Sequence, residues 1–250
     1  MVKKRNRNKS IYIITIITAL LLYSAGVISG LYANKVLERK VNKDIYLLQE
    51  YVNIVKTNIE NLQLEESFLR LVGEKDSCKA LEWNMDNIRQ ELSLFWRKLP
   101  YRIEAYDQSI KNPSEEYLAL KKSYAYISLK AWIIASESFN NCNTTIIPLL
   151  YFYSKNCSQC VSQGQVLDEF KTMVKKQGSE LMVFTIDKDV ELPALNLVLK
   201  YYNIKNTPAL IVDDQVLQGR LFSVNELNNT VQKALMDKYL ERMLEKQSLS

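Results

Sequence analysis

Ile11–Ala33 is a run of 23 residues without a charged side chain, rich in Ile and Leu. That length crosses the hydrocarbon core of a bilayer as one helix. A cleavable signal peptide is the competing reading. Its apolar core is shorter than this one, and Leu31-Tyr32-Ala33 makes a poor small-x-small cleavage site. The segment is therefore read as an uncleaved anchor, holding the chain in the lipid bilayer through Ile11–Ala33.

The formal charge of +5 lies almost wholly in front of that anchor. Lys3, Lys4, Arg5, Arg7 and Lys9 have no acid among them, and the remaining residues balance at 28 basic against 28 acidic. No basic face is left for DNA or RNA, so a nucleic-acid partner is excluded. Lys35, Arg39, Lys40 and Lys43 follow the span, so the charge difference favours a cytoplasmic N-terminus only slightly. The expected organisation is a cytoplasmic basic tail over 1–10, a transmembrane helix over 11–33, an extracytoplasmic helical domain over 34–145 and a last domain over 146–250.

Between Asn34 and Leu64 there is no Gly or Pro, and the helix is expected to continue out of the membrane. Ile45, Leu48, Val52, Val55, Ile59 and Leu62 form a short heptad stripe, either a dimer seam or the core-facing side of a helix in its own domain. Gly73 interrupts the pattern, and Asp76-Ser77 can cap a second helix from about Lys79 through Trp96 to Ile110. Asn112-Pro113-Ser114 is a turn and cap, with Glu115 and Glu116 opening the next helix. That helix, about Ser114–Phe139, carries Tyr117, Leu120, Tyr124, Ile127, Ala131 and Ile134 on one side. Lys79–Asn141 is then a helical hairpin holding all three tryptophans, Trp83, Trp96 and Trp132. Such a hairpin brings Cys78 and Cys142 to the same end. They are either a stapling disulfide, which suits an oxidising compartment, or two unrelated buried thiols.

The second constraint is the stretch Ile146–Cys160. Leu149–Tyr153 is an apolar, aromatic run with strand propensity, Ser154-Lys155-Asn156 breaks it, and Cys157-x-x-Cys160 follows. Val161–Lys176 reads as a helix, with Val161, Leu167, Phe170 and Val174 at helical spacing. A cysteine at a helix N-terminus gains thiolate stability from unpaired N–H groups and the dipole, and a second cysteine one turn on can close a disulfide with it. Half of a zinc site is the first alternative, but the chain has no His and Cys78 and Cys142 are distant singletons, so no metal is expected. A static structural disulfide is the second. Downstream, Leu181–Asp187 reads as a strand, Leu192–Tyr202 as a helix with Pro193 in its first turn, Ala209–Val212 and Gln215–Gln218 as strands around Asp213-Asp214, and Val224–Glu245 as a final helix.

This order, with Cys157-x-x-Cys160 after the first strand and Thr207-Pro208 before a later one, resembles the thioredoxin superfamily in its compact glutaredoxin-like form, over about Ile146–Glu245. With the anchor and the helical segment read above, the resemblance makes the expected fold an α+β multi-domain chain: a transmembrane helix, an all-α helical domain and a C-terminal α/β thioredoxin-like domain. It also implies roles. Cys157 would be the attacking thiolate and Cys160 the resolving thiol. Pro208 would be cis beside them, and the Thr207 backbone would pair with an extended substrate. Asn156 stands where the family has Trp, Ser158-Gln159 where it has Gly-Pro, and Tyr151 where thioredoxins bury an acid.

The activity so implied is thiol–disulfide exchange on protein cysteines outside the cytoplasm, by a membrane-anchored protein disulfide oxidoreductase. It needs no cofactor. Its partners would be proteins bearing thiols or disulfides, and a membrane or soluble redox partner to recharge the pair, because the span carries no cysteine. The alternative is a thioredoxin-like client-binding subunit of a membrane complex, for example one assisting glycosylation, with little turnover.

Overall fold

The apolar segment lies in one helix, α1 (Lys3–Leu71). Within it, Tyr12–Gly30 has a mean hydropathy of 2.0 and no buried residue, and it is long and apolar enough to span a membrane. The computed structural model describes residues 3–71, 78, 103, 106–107, 113–142 and 144–248. It divides into two compact units, Met1–Leu48 and Gln49–Ser250. In the second unit Val52, Val55 and Ile59 are buried, which is the core-facing alternative for that stripe. The expected Asp76-Ser77 cap, the helix from Lys79 to Ile110 apart from residues 103 and 106–107, with Trp83 and Trp96, and the turn at Asn112 lie outside the described residues.

α2 (Glu115–Asn141) begins at Ser114, whose hydroxyl accepts from the Tyr117 N–H at 3.3 Å, with Glu115 and Glu116 in the first turn. An N-cap oxygen and acids near the positive end of the dipole are what start a helix. All six positions of the expected apolar side, Tyr117 through Ile134, are buried. At its other end Cys142 is disulfide-bonded to Cys78, with the Cα atoms 5.4 Å apart across 64 residues. Closing a loop of that length removes denatured-chain entropy worth about 4 kcal/mol. Cys78→Ser with Cys142→Ser should therefore lower unfolding free energy by about that amount. A denaturant titration that places the double variant within about 1 kcal/mol of the parent would show that the bridge does not stabilise the fold.

Four strands form one sheet in the order β2-β1-β3-β4. β1 (Ile146–Tyr153) pairs in parallel with β2 (Glu180–Asp187) and antiparallel with β3 (Ala209–Val212), which pairs antiparallel with β4 (Gln215–Gln218). α3 (Cys160–Lys176), α4 (Pro193–Tyr201) and α5 (Val224–Ser248) complete the described elements. β1 is central and buried at all eight positions, as a strand covered on both faces must be. Pro148 sits one residue before the β1–β3 ladder begins, where its missing N–H removes no bond to β3.

One face carries Leu149, Tyr151, Leu181, Leu210 and Val212, packed in one apolar cluster with Leu167 and Phe170 of α3 and Leu227 and Val231 of α5. Successive strand residues point to opposite faces. α2 lies against β1 and β2 and touches α4, and the intervening Leu150 and Phe152 are fully buried. Trp132 of α2 meets Tyr202 edge-on, with ring centroids 6.2 Å apart. The helix that the sequence reading assigned to the separate 34–145 domain thus packs as a layer of the sheet. It lies within the compact unit Gln49–Ser250. The chain is a mixed α/β protein with an apolar N-terminal helix and a small mixed sheet.

An ion cluster lies under α2. Lys121 is 9% exposed; its ammonium reaches Asp107 at 2.6 Å and also binds Asp187, the last residue of β2 and itself 6% exposed. Tyr117 Oη lies 2.9 Å from Asp107 Oδ1 and equally far from the Ile103 carbonyl, so its one proton serves one of them at a time. Burial alone would depress the Lys121 pKa, but hydrogen bonds to both aspartates raise it above the ordinary lysine value.

Candidate functional site

The site is built at the C-terminal end of β1. The strand stops at Tyr153, and Ser154–Gln159 turns the chain into α3, which starts at Cys160, one residue earlier than its sequence pattern suggests. Within that turn the Cys157 N–H donates to the Ser154 carbonyl at 3.2 Å and the Cys160 N–H to the Cys157 carbonyl at 3.4 Å. Cys157 and Cys160 are joined by a disulfide with Cα atoms 5.4 Å apart. Cys157 is half-buried, whereas Cys160 is 3% exposed within the apolar cluster. The two sulfurs therefore differ in access, and a reagent from solvent meets Cys157 first. No side chain caps α3 and no acid sits in its first turn, while Lys175 and Lys176 occupy its last. The positive end of the helix is left to the sulfur at its start.

Thr207 and Pro208, given a site role from sequence, are brought to the same place. Their peptide bond is cis. Thr207 Oγ1 lies 2.7 Å from Ser154 Oγ, so the loop before β3 is tied to the turn that carries the cysteines. A groove of about 400 Å³ runs between them, lined by Cys157, Ser158 and Gln159 on one side and Asn206, Thr207 and Gly219 on the other. Lys188 and Lys205 also face into it.

Five supporting residues were not singled out as such by the sequence reading. Tyr151 points its buried hydroxyl at the Cys160 carbonyl and donates to it at 2.8 Å, pinning the first residue of α3 to β1. Gln163, fully buried, donates to the Phe222 carbonyl at 3.3 Å and accepts from the Phe222 N–H at 2.8 Å. This two-bond clamp fixes α3 to the loop ahead of α5. Gln218 accepts from the Lys205 N–H at 2.8 Å and donates to the Asn203 carbonyl at 3.1 Å, shaping the approach to Thr207. Ser223 and Glu226 form a capping box at the start of α5, the Ser223 N–H reaching Glu226 at 2.9 Å and the Glu226 N–H reaching Ser223 Oγ at 3.4 Å. The Arg220 guanidinium, 2.5 Å from Glu226, holds that carboxyl down to about 2, helped by Ser223. A Ser-x-x-Glu before an apolar run was the sequence signal for the box. For Tyr151 no local signal stood out, because Tyr153 carries a second hydroxyl on the same strand.

Chemically, an accessible sulfur bonded to a buried one can undergo thiol attack at Cys157, with Cys160 leaving into a shielded position. Among the described residues, no three or more His, Cys, Asp or Glu side chains are grouped to hold a metal. Comparison with known proteins adds little. No protein-family model matches the chain. No curated protein matches it either. One solved structure, described as "Structure of a malarial protein", is similar at 23% identity over 36% of this chain and 97% of that one, with a TM-score of 0.28. A likeness of that size carries no argument about this chain.

Proposed function

We propose that this chain is a membrane-anchored member of the thioredoxin superfamily that exchanges disulfides with protein cysteines outside the cytoplasm. The observation that carries the reading is the asymmetric pair: a half-buried Cys157 and a buried Cys160, disulfide-bonded at the start of α3 beside the Thr207–Pro208 loop. The strand order β2-β1-β3-β4, with helices against both faces, supports a thioredoxin-like arrangement of Ile146–Ser248.

The oxidised pair dictates the first half-reaction. A client thiolate attacks Sγ of Cys157, the Cys157–Cys160 bond breaks, and Cys160 takes the electron pair and then a proton. A second client thiolate attacks the client sulfur of the mixed disulfide. The client leaves with a disulfide, and Cys157 leaves as thiolate. Two client thiols are oxidised and one protein disulfide is reduced. In the reverse direction Cys157 thiolate attacks a client disulfide and Cys160 resolves the intermediate. Recharging falls to a separate redox partner.

Two features support placement outside the cytoplasm: the Tyr12–Gly30 span and a second disulfide, Cys78–Cys142, remote in sequence from the exchanging pair. With the hydrophilic bulk there, the N-terminal basic tail is cytoplasmic. The test is turnover. Full-length protein in detergent should oxidise a reduced dithiol substrate, and Cys157→Ala should abolish that activity while leaving Cys78–Cys142 intact. Absence of exchange in either direction would leave a client-binding subunit with a static disulfide as the better reading.

A further inference from the structure

We propose that the groove beside Cys157 selects polypeptide clients whose reactive cysteine is flanked by acidic residues, with Lys188 and Lys205 receiving the carboxylates. The inference rests on the disulfide-exchange reading and names the substrate class for that same site. Residues 146–250 contain equal numbers of basic and acidic side chains, so a random surface patch there has no preferred sign. The groove does have one. Two lysines line it and no acid does. Its remaining walls are polar, among them Asn156, Gln159 and Asn206, and no large apolar side chain is present to anchor a hydrophobic client. Selectivity in such a groove comes from charge and hydrogen bonding, which set encounter rate and register more than raw affinity.

The lysines approach Cys157 from different elements. Lys188 directly follows β2 and is held by its N–H, which donates to the Tyr153 carbonyl at 2.9 Å at the end of β1. Lys205 is held by its own N–H on Gln218. Their backbones are thus fixed while the ammonium groups stay adjustable. Lys188 Nζ also donates to Asp189 at 2.6 Å, but an ammonium has three donors and Asp189 is itself 55% exposed, so a client carboxylate can share or replace that contact. An extended client with acids on both sides of its cysteine places one carboxylate toward each lysine as the cysteine reaches Sγ of Cys157.

The test compares short single-cysteine peptides flanked by Asp, Ser or Lys. The readout is the rate at which each reduces the Cys157–Cys160 disulfide of full-length protein in neutral detergent, quenched with acid and counted by alkylation. Neighbouring acids raise a thiol's own pKa, so each rate is divided by the same peptide's rate with 2-hydroxyethyl disulfide. The Asp-flanked peptide should then react about tenfold faster than the Lys-flanked one at low salt. The advantage should shrink toward unity near about 0.5 M salt. Lys188→Gln with Lys205→Gln should likewise bring the Asp-to-Ser rate ratio to about one, and both positions are solvent-facing enough to accept Gln. Equal normalised rates for all three peptides, or a preference untouched by the double variant, would overturn the acidic-client assignment while leaving the exchange reaction standing. No reaction with any peptide would remove the exchange reading and this assignment together.

Discussion

Cys160→Ser should convert a fleeting mixed disulfide into an accumulated one, and Cys157→Ser should not. The reason is position. Cys157 is the sulfur a client can reach, and Cys160 lies buried at the first position of α3, its carbonyl tied to the Tyr151 hydroxyl. Once Cys157 is bonded to a client, Cys160 is the neighbouring thiol that can release it. Well-oriented intramolecular groups act at effective molarities of about 10⁵ M or more, so removing Sγ of Cys160 should lengthen the intermediate's life by at least about 10³-fold. Release then waits on external thiol. The Cys157→Ser variant offers clients only a shielded sulfur and should trap none. Non-reducing gels of each variant after acid quenching, with bands identified by mass spectrometry, give the answer. Equal trapping by both variants would sink the assigned roles, and trapping by Cys157→Ser alone would reverse them.

Much of this arrangement could be read from the chain. The strand over β1, the helix after Cys157-x-x-Cys160 and the hairpin around Asp213-Asp214 follow from apolar periodicity and turn residues, and their ends fall within a few residues of the pattern. The six apolar positions of α2 mark its buried side for the same reason. What the chain hides is which surfaces meet. Ile146–Tyr153 is apolar without alternation, and such a run signals cover on both faces. On one face that cover is α2, which sequence order alone places in a preceding helical domain. Lys121 is hidden differently. It sits four residues after Tyr117 and three before Tyr124, on the buried face by helical arithmetic, but a lysine there reads as an interruption until its partners are known. Those partners are 14 residues before it and 66 after it, and no local pattern links them. Tyr151 and Gln163 escape for a related reason. Each satisfies a backbone group, and backbone acceptors leave no trace in composition.

That buried lysine carries the largest expected effect on stability. Lys121→Met keeps the length and apolar stem of the side chain but leaves Asp107 and Asp187 without their shared cation, in a largely buried site. Removing one partner from a buried ion pair costs about 3–5 kcal/mol, because the remaining charge keeps its desolvation penalty. With two carboxylates left behind, the upper part of that range is expected. Replacing all three residues by apolar ones of similar volume should return most of the loss, since the penalty and the attraction vanish together. A Lys121→Met variant within about 1 kcal/mol of the parent would show that the cluster is hydrated in solution. The pH dependence provides a second check. The folded-state pKa of Lys121 is raised by its two aspartates, and those of Tyr117 and Tyr153 are raised chiefly by burial. Groups with raised folded pKa values contribute stability that is complete below their unfolded pKa and lost as pH climbs past it. The unfolded lysine and tyrosines titrate near 10, so unfolding free energy should hold steady through neutral pH and fall above about pH 10. Lys121→Met should be less stable at every pH but lose less on going from neutral to strongly alkaline solution, because one of the titrating groups is gone. The cluster fixes the end of β2 from which Lys188 enters the groove, so the same substitution should also weaken the preference for acidic clients. A destabilised variant with its client preference intact would separate the ion cluster from the site it lies beside.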